Sequence, residues 1–199
     1  MKKKVAVAMS GGVDSSLTAA LLIEQGYDVI GVTMTLSDES REAGGSTAVS
    51  DAKKVADALN IPHYVVNYHK KFKDDVIKYF ISEYAKGRTP NPCVRCNNTV
   101  KFGSLLKDCL ELGADCVATG HYARIEQDEK TGRYLLKKGL DVRKDQSYVL
   151  YTLTQDVLKH FMLPLGNYSK EKTRELAGKM NLPVANKPES QEICFIPND

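Results

Sequence analysis

The fold is decided by one stretch near the start of the chain, KVAVAMSGGVDSS at residues 4–16. Residues 4–9 are apolar with Val at alternate positions, which predicts a buried β-strand. Val13–Glu24 carries Leu and Ala at helical spacing, so Gly11 and Gly12 fall in a turn between strand and helix. Gly26 then stops the helix, and the β-branched run Tyr27–Leu36 completes a predicted βαβ unit.

The turn in this unit has the composition of an anion-binding loop. Two glycines allow the backbone N–H groups to approach an anion, and three serine hydroxyls add donors at a helix N-terminus, which favours negative charge. The Lys of the G-K-[ST] P-loop is absent, so pyrophosphate is expected rather than a γ-phosphate. The alternative is a plain glycine turn in which Asp14 and Ser15 only cap the helix.

Further along the chain, predicted strands alternate with predicted helices. Strands are expected at His63–Asn67 and Ala114–Thr119, with a β-hairpin over Arg124–Leu140, and helices at Asp51–Leu59 capped by Ser50, Phe72–Ala85, Asn98–Leu112, Gln155–His160 and Lys170–Met180. This alternation predicts an α/β fold with a doubly wound, mostly parallel sheet that binds its ligand at the carboxyl ends of the strands, followed by an irregular or helical C-terminal segment. We expect a nucleotide-binding domain at 1–165 and the start of a connecting segment at 166–199 of a truncated chain.

Composition restricts the class of protein. The 199 residues are 42% hydrophobic and 27% charged, which is typical of a globular protein with a real core. The formal net charge of +3 neither demands nor excludes a nucleic-acid partner. Apolar runs fall far short of the roughly 20 residues of a membrane span, and no signal-peptide core follows the N-terminal MKKK, so a cytoplasmic protein without a membrane partner is expected.

Five segments carry a family resemblance. SGGVDSS at 10–16 resembles the PP-loop of ATP pyrophosphatases (adenine nucleotide alpha hydrolase-like proteins), enzymes that adenylate a carbonyl oxygen and release pyrophosphate. NPCVRCN at 91–97, ATGHYAR at 118–124, KDQSYVLY at 144–151 and SQEICFI at 190–196 narrow the resemblance to the tRNA-specific 2-thiouridylases. The match covers nearly the whole chain in order.

The resemblance implies an ATP-dependent tRNA-uridine 2-sulfurtransferase. ATP with Mg²⁺ would adenylate the C2 carbonyl of the wobble uridine in tRNAs for Lys, Glu and Gln, and sulfur from a sulfur-relay protein or cysteine desulfurase would replace the oxygen to give 2-thiouridine. By position, Cys96 matches the catalytic nucleophile and Cys194 the persulfide carrier, and the pair would end as a disulfide. The implied ATP-binding residues are Ala8, Met9, Ser10, Gly11, Gly12, Val13, Asp14, Ser15, Ser16, Met34 and Gly120. The implied tRNA-binding residues are Lys144, Asp145 and Gln146.

One position departs from the best-known form of the family, because Cys93 stands where that form has Asp. Cys93, Cys96 and Cys194 therefore have an alternative role as ligands of a [4Fe–4S] cluster with one open iron. The C-x-x-C pair alone is equally consistent with a redox pair or half of a zinc site. Cys109 and Cys116 lie in helix and strand patterns and are expected to be buried in the core.

Two further functions stay open at this point. One is another PP-loop enzyme that amidates a small molecule, and the other is a nucleotide-binding or metal-sensing module without turnover. Asp14 is the expected helper for Mg²⁺ or pyrophosphate, whereas His121 is expected to be structural rather than catalytic.

Overall fold

The central strand of the main sheet is the one predicted from residues 4–9. In the computed structural model, which describes residues 2–36, 47–189 and 193–196, β1 (Lys4–Ala8) pairs in parallel with β2 (Asp28–Thr35) and β4 (Cys116–Ala118). β3 (His63–Asn67) and β7 (Phe161–Met162) are the outer strands, giving the order β3-β2-β1-β4-β7. β1 and β4 are neighbours in space but far apart in the chain, so the winding of the sheet reverses between them.

Helices connect the strands and cover both faces of the sheet. They are α1 (Val13–Glu24), α2 (Ala48–Ala58), α3 (His69–Phe72), α4 (Lys78–Ala85), α5 (Pro92–Cys96), α6 (Leu105–Glu111), α7 (Gln155–Leu158) and α8 (Lys170–Lys179). π-Helical turns at Lys73–Ile77 and Asn97–Ser104 join α3 to α4 and α5 to α6. The predicted helices over 72–85 and 98–112 are thus each interrupted by a wider turn.

Alternation along β1 separates the core into two layers. Val5 and Val7 pack with residues of α1 and α2 on one face, whereas Ala6 packs with Phe72 and Val100 on the other. Because successive side chains of a strand point to opposite faces, one apolar strand serves both layers. The predicted doubly wound α/β fold is confirmed.

The second half of the chain adds a hairpin and a terminal helix. β5 (Ala123–Gln127) and β6 (Tyr134–Lys138) form the predicted antiparallel hairpin. Residues beyond 165 pack onto α1, since Ala177 and Leu182 share a buried cluster with Leu17. Across the described ranges, no helix combines the length and apolarity that a bilayer crossing requires.

One local prediction is wrong and one strand was missed. The cap of α2 is Thr47, whose side chain accepts from the Ser50 N–H, so the helix begins earlier than a cap at Ser50 would place it. β7 was not predicted, because a strand of two residues carries no detectable periodicity. The other predicted strands and helices lie within a few residues of their predicted bounds.

Gly166 provides a test of the packing between the hairpin and the rest of the domain. A Cβ at this position would lie 1.9 Å from the Ala123 carbonyl oxygen, so Gly166→Ala should reduce the free energy of unfolding by about 2 kcal/mol or more. The matched control is Gly178→Ala in α8, where a Cβ meets nothing within 4 Å and helix propensity predicts a gain of up to about 1 kcal/mol. Urea unfolding of both variants measures the difference, and equal stabilities would contradict the packing.

Candidate active site

The turn after β1 is held by its own serine hydroxyls. The Ser10 N–H donates to Ser15 Oγ over 3.1 Å, and Ser16 Oγ donates to the Gly12 carbonyl over 2.8 Å. Gly11 has φ +71°, a conformation that glycine adopts without strain. The N-cap of α1 is Gly12, which makes no side-chain capping bond, so Asp14 and Ser15 do not cap this helix. Within the described ranges, no side chain accepts from the first N–H groups of α1, as an anion site requires.

Gly120 brings β4 against this turn. A Cβ on Gly120 would lie 2.9 Å from both the Asp14 Cβ and the Ser15 N, so any larger residue would displace the start of α1. Met34 lies near the end of β2, the other neighbour of β1. The structure thus gathers the implied ATP residues at the carboxyl ends of three adjacent strands, where a doubly wound sheet binds ligands. Met9 and Val13 are buried in the core, so their side chains serve packing.

Asp14 is engaged in a network that the sequence did not predict. The Lys170 ammonium lies 2.7 and 2.9 Å from its two carboxylate oxygens, and the Tyr122 hydroxyl donates to it over 2.9 Å. Lys170, at the start of α8, is only 8% exposed. A buried ammonium is stable only when paired, and this carboxylate pairs it. Asp14 therefore joins the nucleotide-binding turn to the C-terminal part of the domain.

Glu189 extends the same network toward the predicted tRNA-binding segment. Its carboxylate lies 2.7 Å from the Lys170 ammonium and 2.8 Å from the Lys144 ammonium. Although partial burial opposes the effect, hydrogen bonds from these two lysines lower the pKa of Glu189 to about 2. The chain of charges runs from Asp14 through Lys170 and Glu189 to Lys144, with the two anions and two cations alternating. A pocket of about 340 Å³ opens beside it.

The segment Lys144–Gln146 is tied down from within the domain. Asp145 accepts from the Gly139 N–H over 2.8 Å and from the Ser147 hydroxyl over 2.7 Å. Although burial opposes them, these bonds hold the pKa of Asp145 below its usual value. The Gln146 side-chain oxygen accepts from the Tyr122 N–H over 3.0 Å. The side chains of Asp145 and Gln146 thus both make internal bonds that shape the loop.

Cys93 and Cys96 lie on the short helix α5. Its N-cap is Asn91, whose side chain accepts from the Val94 N–H, and Pro92 occupies the first turn. Arg95 fixes the helix by donating to the Asp75 carbonyl over 3.1 Å. Cys93 is exposed and Cys96 is buried. The two cysteines of the C-x-x-C pair therefore lie in different environments.

Cys194 is near enough to Cys96 for its charge to act on that thiol, although the two are far apart in the chain. Phe195 packs edge-on against Phe72 at 5.8 Å between ring centroids and is part of the cluster that contains Cys96. Burial raises the pKa of the Cys96 thiol to about 11, with Lys101 opposing and Cys194 and Cys93 adding to the shift. Cys194 is exposed as a residue, yet partial desolvation of its thiol also raises its pKa, again with Lys101 opposing. The other predicted motif residues, 190–192, lie outside the described part of the chain.

The cysteines are not arranged as a metal centre. Among the described residues, no group of three or more His, Cys, Asp or Glu side chains is placed to hold a metal ion. The donor set of Cys93, Cys96 and Cys194 therefore does not support the [4Fe–4S] alternative. All five cysteines are free thiols, and Cys109 and Cys116 are buried in the core as predicted.

His121 follows Gly120 and is held in place by a neighbour. Its Nδ1 lies 2.7 Å from Thr119 Oγ1, and its ring lies 5.7 Å from that of Phe102. Desolvation, with the nearby Lys101 ammonium, lowers the pKa of His121 to about 3. An imidazole with this pKa is a weak base, so it is poorly suited to deprotonate Cys96. These contacts fix the ring within the domain, and a structural role for His121 stays a prediction.

Sequence reasoning missed the residues that organise the site. Lys170, Glu189 and Tyr122 lie in three separate segments, and only Tyr122 belongs to a motif that the sequence singled out. A lysine in the first turn of an amphipathic helix is normally solvated, so Lys170 carries no signal of burial. The missed residues can be found only when the chain is folded.

Comparisons with solved structures agree with this fold. A 4-thiouridine synthetase in complex with RNA and bound ATP matches at a TM-score of 0.62 and 20% identity, covering 97% of this chain and 45% of that one. A predicted subunit of a tRNA methyltransferase from Methanocaldococcus jannaschii matches at a TM-score of 0.54 and 20% identity, covering 88% and 74%. The fold and the turn after β1 define a PP-loop α/β domain of the HUP class.

Sequence comparison identifies the family more narrowly. The family described as tRNA methyl transferase HUP domain matches residues 3–198, and the chain belongs to it. A tRNA-specific 2-thiouridylase (MnmA 1) of Caldanaerobacter subterraneus subsp. tengcongensis is 59% identical over all of this chain and 57% of its own length. The corresponding protein of Carboxydothermus hydrogenoformans is 57% identical over all of this chain and 56% of its own length. The chain thus spans little more than half the length of these relatives.

The Asp14–Lys170 pair gives a stability prediction. Lys170→Met leaves the Asp14 and Glu189 carboxylates without their shared cation, so the free energy of unfolding should fall by about 2–4 kcal/mol. Lys172→Met, in the same helix, removes an exposed pair with Glu175 and should cost about 1 kcal/mol or less. Urea unfolding of the two variants measures the costs. A Lys170→Met protein as stable as Lys172→Met would show that the network is not stabilising.

The thiols give a prediction on reactivity. Alkylation by iodoacetamide at pH 8 should modify the exposed Cys93 before Cys96, whose pKa is raised to about 11. The rate at Cys96 should rise about tenfold per pH unit up to that pKa, because only the thiolate reacts. Cys109, fully buried with its pKa raised to about 12, should react last and serves as the internal control. Peptide mass spectrometry over a pH series gives the order, and modification of Cys96 before Cys93 would contradict it.

Proposed function

We propose that this chain carries the catalytic site of an ATP-dependent tRNA 2-thiouridylase. The observation that carries the proposal is that Phe195 packs against the cluster that contains Cys96, which brings its neighbour Cys194 close enough for its charge to act on the Cys96 thiol, in a domain whose PP-loop lies at the switch point of the sheet. The high identity to tRNA-specific 2-thiouridylases supports the same reaction.

In the first step, ATP activates the base. The N–H groups of Gly11, Gly12 and the start of α1 bind the phosphates, while Gly120 leaves the turn open to the nucleotide. The C2 carbonyl oxygen of the wobble uridine attacks the α-phosphate, and pyrophosphate leaves. Asp14 holds Lys170 beside this turn, and Mg²⁺ bound with ATP would supply positive charge to the phosphates. The base is thereby left with adenylate as a good leaving group.

In the second step, sulfur replaces the activated oxygen. A sulfur-relay protein or cysteine desulfurase loads Cys194 as a persulfide. The Cys96 thiolate attacks the inner sulfur of that persulfide, so a Cys96–Cys194 disulfide forms and hydrosulfide is released. Hydrosulfide adds to C2, and AMP leaves with the former carbonyl oxygen. The terminal sulfur gains the two electrons that the two cysteines lose, and an external dithiol restores the thiols.

The RNA substrate is proposed to be tRNA of the Lys, Glu and Gln acceptors. Lys144 is suited to a phosphate, and Asp145 with Gln146 shapes the loop beside it. Residues 166–199 are proposed to begin a segment that continues the RNA-binding surface in the longer relatives. None of the described geometry favours an amidating enzyme or a purely structural metal site.

Substitution of single cysteines tests the proposal. With ATP, Mg²⁺, tRNA and a persulfide-loaded donor, Cys96→Ser and Cys194→Ser should each lower 2-thiouridine formation by about 10³-fold or more, since each removes a sulfur that the step requires. Pyrophosphate release should persist in both variants, because adenylation precedes sulfur transfer. Nucleoside mass spectrometry and a pyrophosphate assay give the two readouts.

Cys93→Ala is the matched control in the same helix. It should retain both activities, because Cys93 is exposed and has no part in the two steps. Loss of thiolation in all three variants, together with iron in the purified protein, would instead favour the cluster. Absence of tRNA-dependent pyrophosphate release in the unsubstituted protein would refute the proposed function.

A further inference from the structure

Two tyrosines just after the predicted tRNA-binding loop are unusually exposed. Tyr148 is 61% exposed and Tyr151 is 71% exposed, more than any other tyrosine in the described part of the chain. Tyr79, by comparison, faces the Arg95 guanidinium, and Tyr84 packs edge-on against Phe80. Neither Tyr148 nor Tyr151 has an aromatic or cationic partner among the described residues. Burying a tyrosine ring is favourable, so leaving one in solvent gives up stability that a bound partner can recover.

The backbone of Tyr148 is held by contacts on both sides. Tyr148 is the middle residue of a 3₁₀ turn at Ser147–Val149, and the next two residues, Val149 and Leu150, are buried in the core. On the other side, the Ser147 hydroxyl and N–H both donate to Asp145. A ring presented on a fixed turn binds at a small cost in conformational entropy.

This turn lies next to the cysteine helix. The Asn97 side chain, adjacent to Cys96, donates to the Val149 carbonyl over 3.4 Å, and Asn97 is buried at that contact. α5 packs directly against the turn. Tyr148 therefore directly precedes the residue whose carbonyl accepts a hydrogen bond from Asn97, the residue after the proposed nucleophile.

The polar neighbours of Tyr148 are already bonded within the protein. Asp145 and Gln146 use their side chains to shape the loop, and Lys144 is paired with Glu189. The group that this loop leaves available to a ligand is thus the aromatic face of Tyr148. Aromatic faces bind unpaired nucleobases, because every base has a π-face and unpaired bases are free to leave the stack.

We propose that Tyr148 stacks on an unpaired base of the RNA anticodon loop, at or next to the wobble position, and so holds the target base at the cysteine helix. This inference rests on the proposed function, because it takes tRNA as the substrate. The ring would supply stacking area, and the fixed turn would supply its position relative to Cys96. The hydroxyl group is not needed for this role.

Binding of an anticodon stem–loop to the protein, measured by fluorescence anisotropy, tests the proposal. Tyr148→Leu should weaken binding roughly 5- to 150-fold, the range that about 1–3 kcal/mol of base–aromatic stacking corresponds to. Tyr148→Phe should bind as the unsubstituted protein does, because it keeps the ring. Tyr64→Leu, on the far edge strand β3, removes another exposed tyrosine ring and should leave binding unchanged.

A second set of RNAs shows which base is stacked. Each of three stem–loops lacks one base, either at the wobble position or at one of its two neighbours. The stem–loop that lacks the stacked base should bind the Tyr148→Leu and the unsubstituted protein with equal affinity, because there is no base left for Tyr148 to stack on. Equal binding of both proteins to the intact stem–loop, or a Tyr148→Leu defect that persists on all three abasic RNAs, would overturn the stacking role. Failure of the unsubstituted protein to bind any stem–loop would refute the proposed function itself, and the stacking with it.

Discussion

The contact on which the rest of the site depends is the ion pair between Asp14 and Lys170. Asp14 belongs to the first turn of α1, immediately after the glycines that form the nucleotide-binding turn, and Lys170 begins α8 more than half the domain away in sequence. The ammonium is buried, and a buried charge without a partner costs several kcal/mol. The two segments are therefore fixed relative to one another. The Tyr122 hydroxyl, which also donates to Asp14, adds the loop that follows β4 to the same contact.

This ion pair also fixes the distance between the nucleotide-binding turn and the site of the proposed sulfur transfer. Lys170 and Lys144 both pair with Glu189, so a series of ion pairs connects the nucleotide-binding turn to the loop that precedes Tyr148. That loop is connected in turn to the cysteine helix through Asn97. ATP must activate, and sulfur must attack, the same carbonyl group of the base. The site that binds the phosphates and the site that holds the thiols must therefore keep a fixed distance from one another. The network of ion pairs and hydrogen bonds gives a physical reason why this distance is fixed before any substrate binds.

The sequence was sufficient wherever the signal is local. The alternate valines of β1, the glycine turn and the helical spacing of α1 each specify their own structure, and together they specify a parallel sheet. It was insufficient where structure depends on tertiary contacts. The π-helical turn at Asn97–Ser104 has the same hydrophobic spacing as an ordinary helix, and Lys170 resembles any solvated lysine until Asp14 and Glu189 surround it. The family motifs found Cys194, but only packing of Phe195 on Phe72 shows how it reaches Cys96.

The two cysteines of the proposed sulfur transfer differ in burial but share one cationic neighbour. Burial raises the pKa of Cys96 to about 11, so at neutral pH the thiol is almost entirely protonated and protected from oxidation. Lys101 acts in the opposite direction on both Cys96 and Cys194, because its cation favours a thiolate at either sulfur. Cys109, by contrast, has Asp108 as its charged neighbour, which raises its pKa further and leaves it inert. In the proposed sulfur transfer, negative charge at Cys194 adds to the rise in the Cys96 pKa, so Lys101 is the group that favours the attacking Cys96 thiolate when the persulfide is on Cys194.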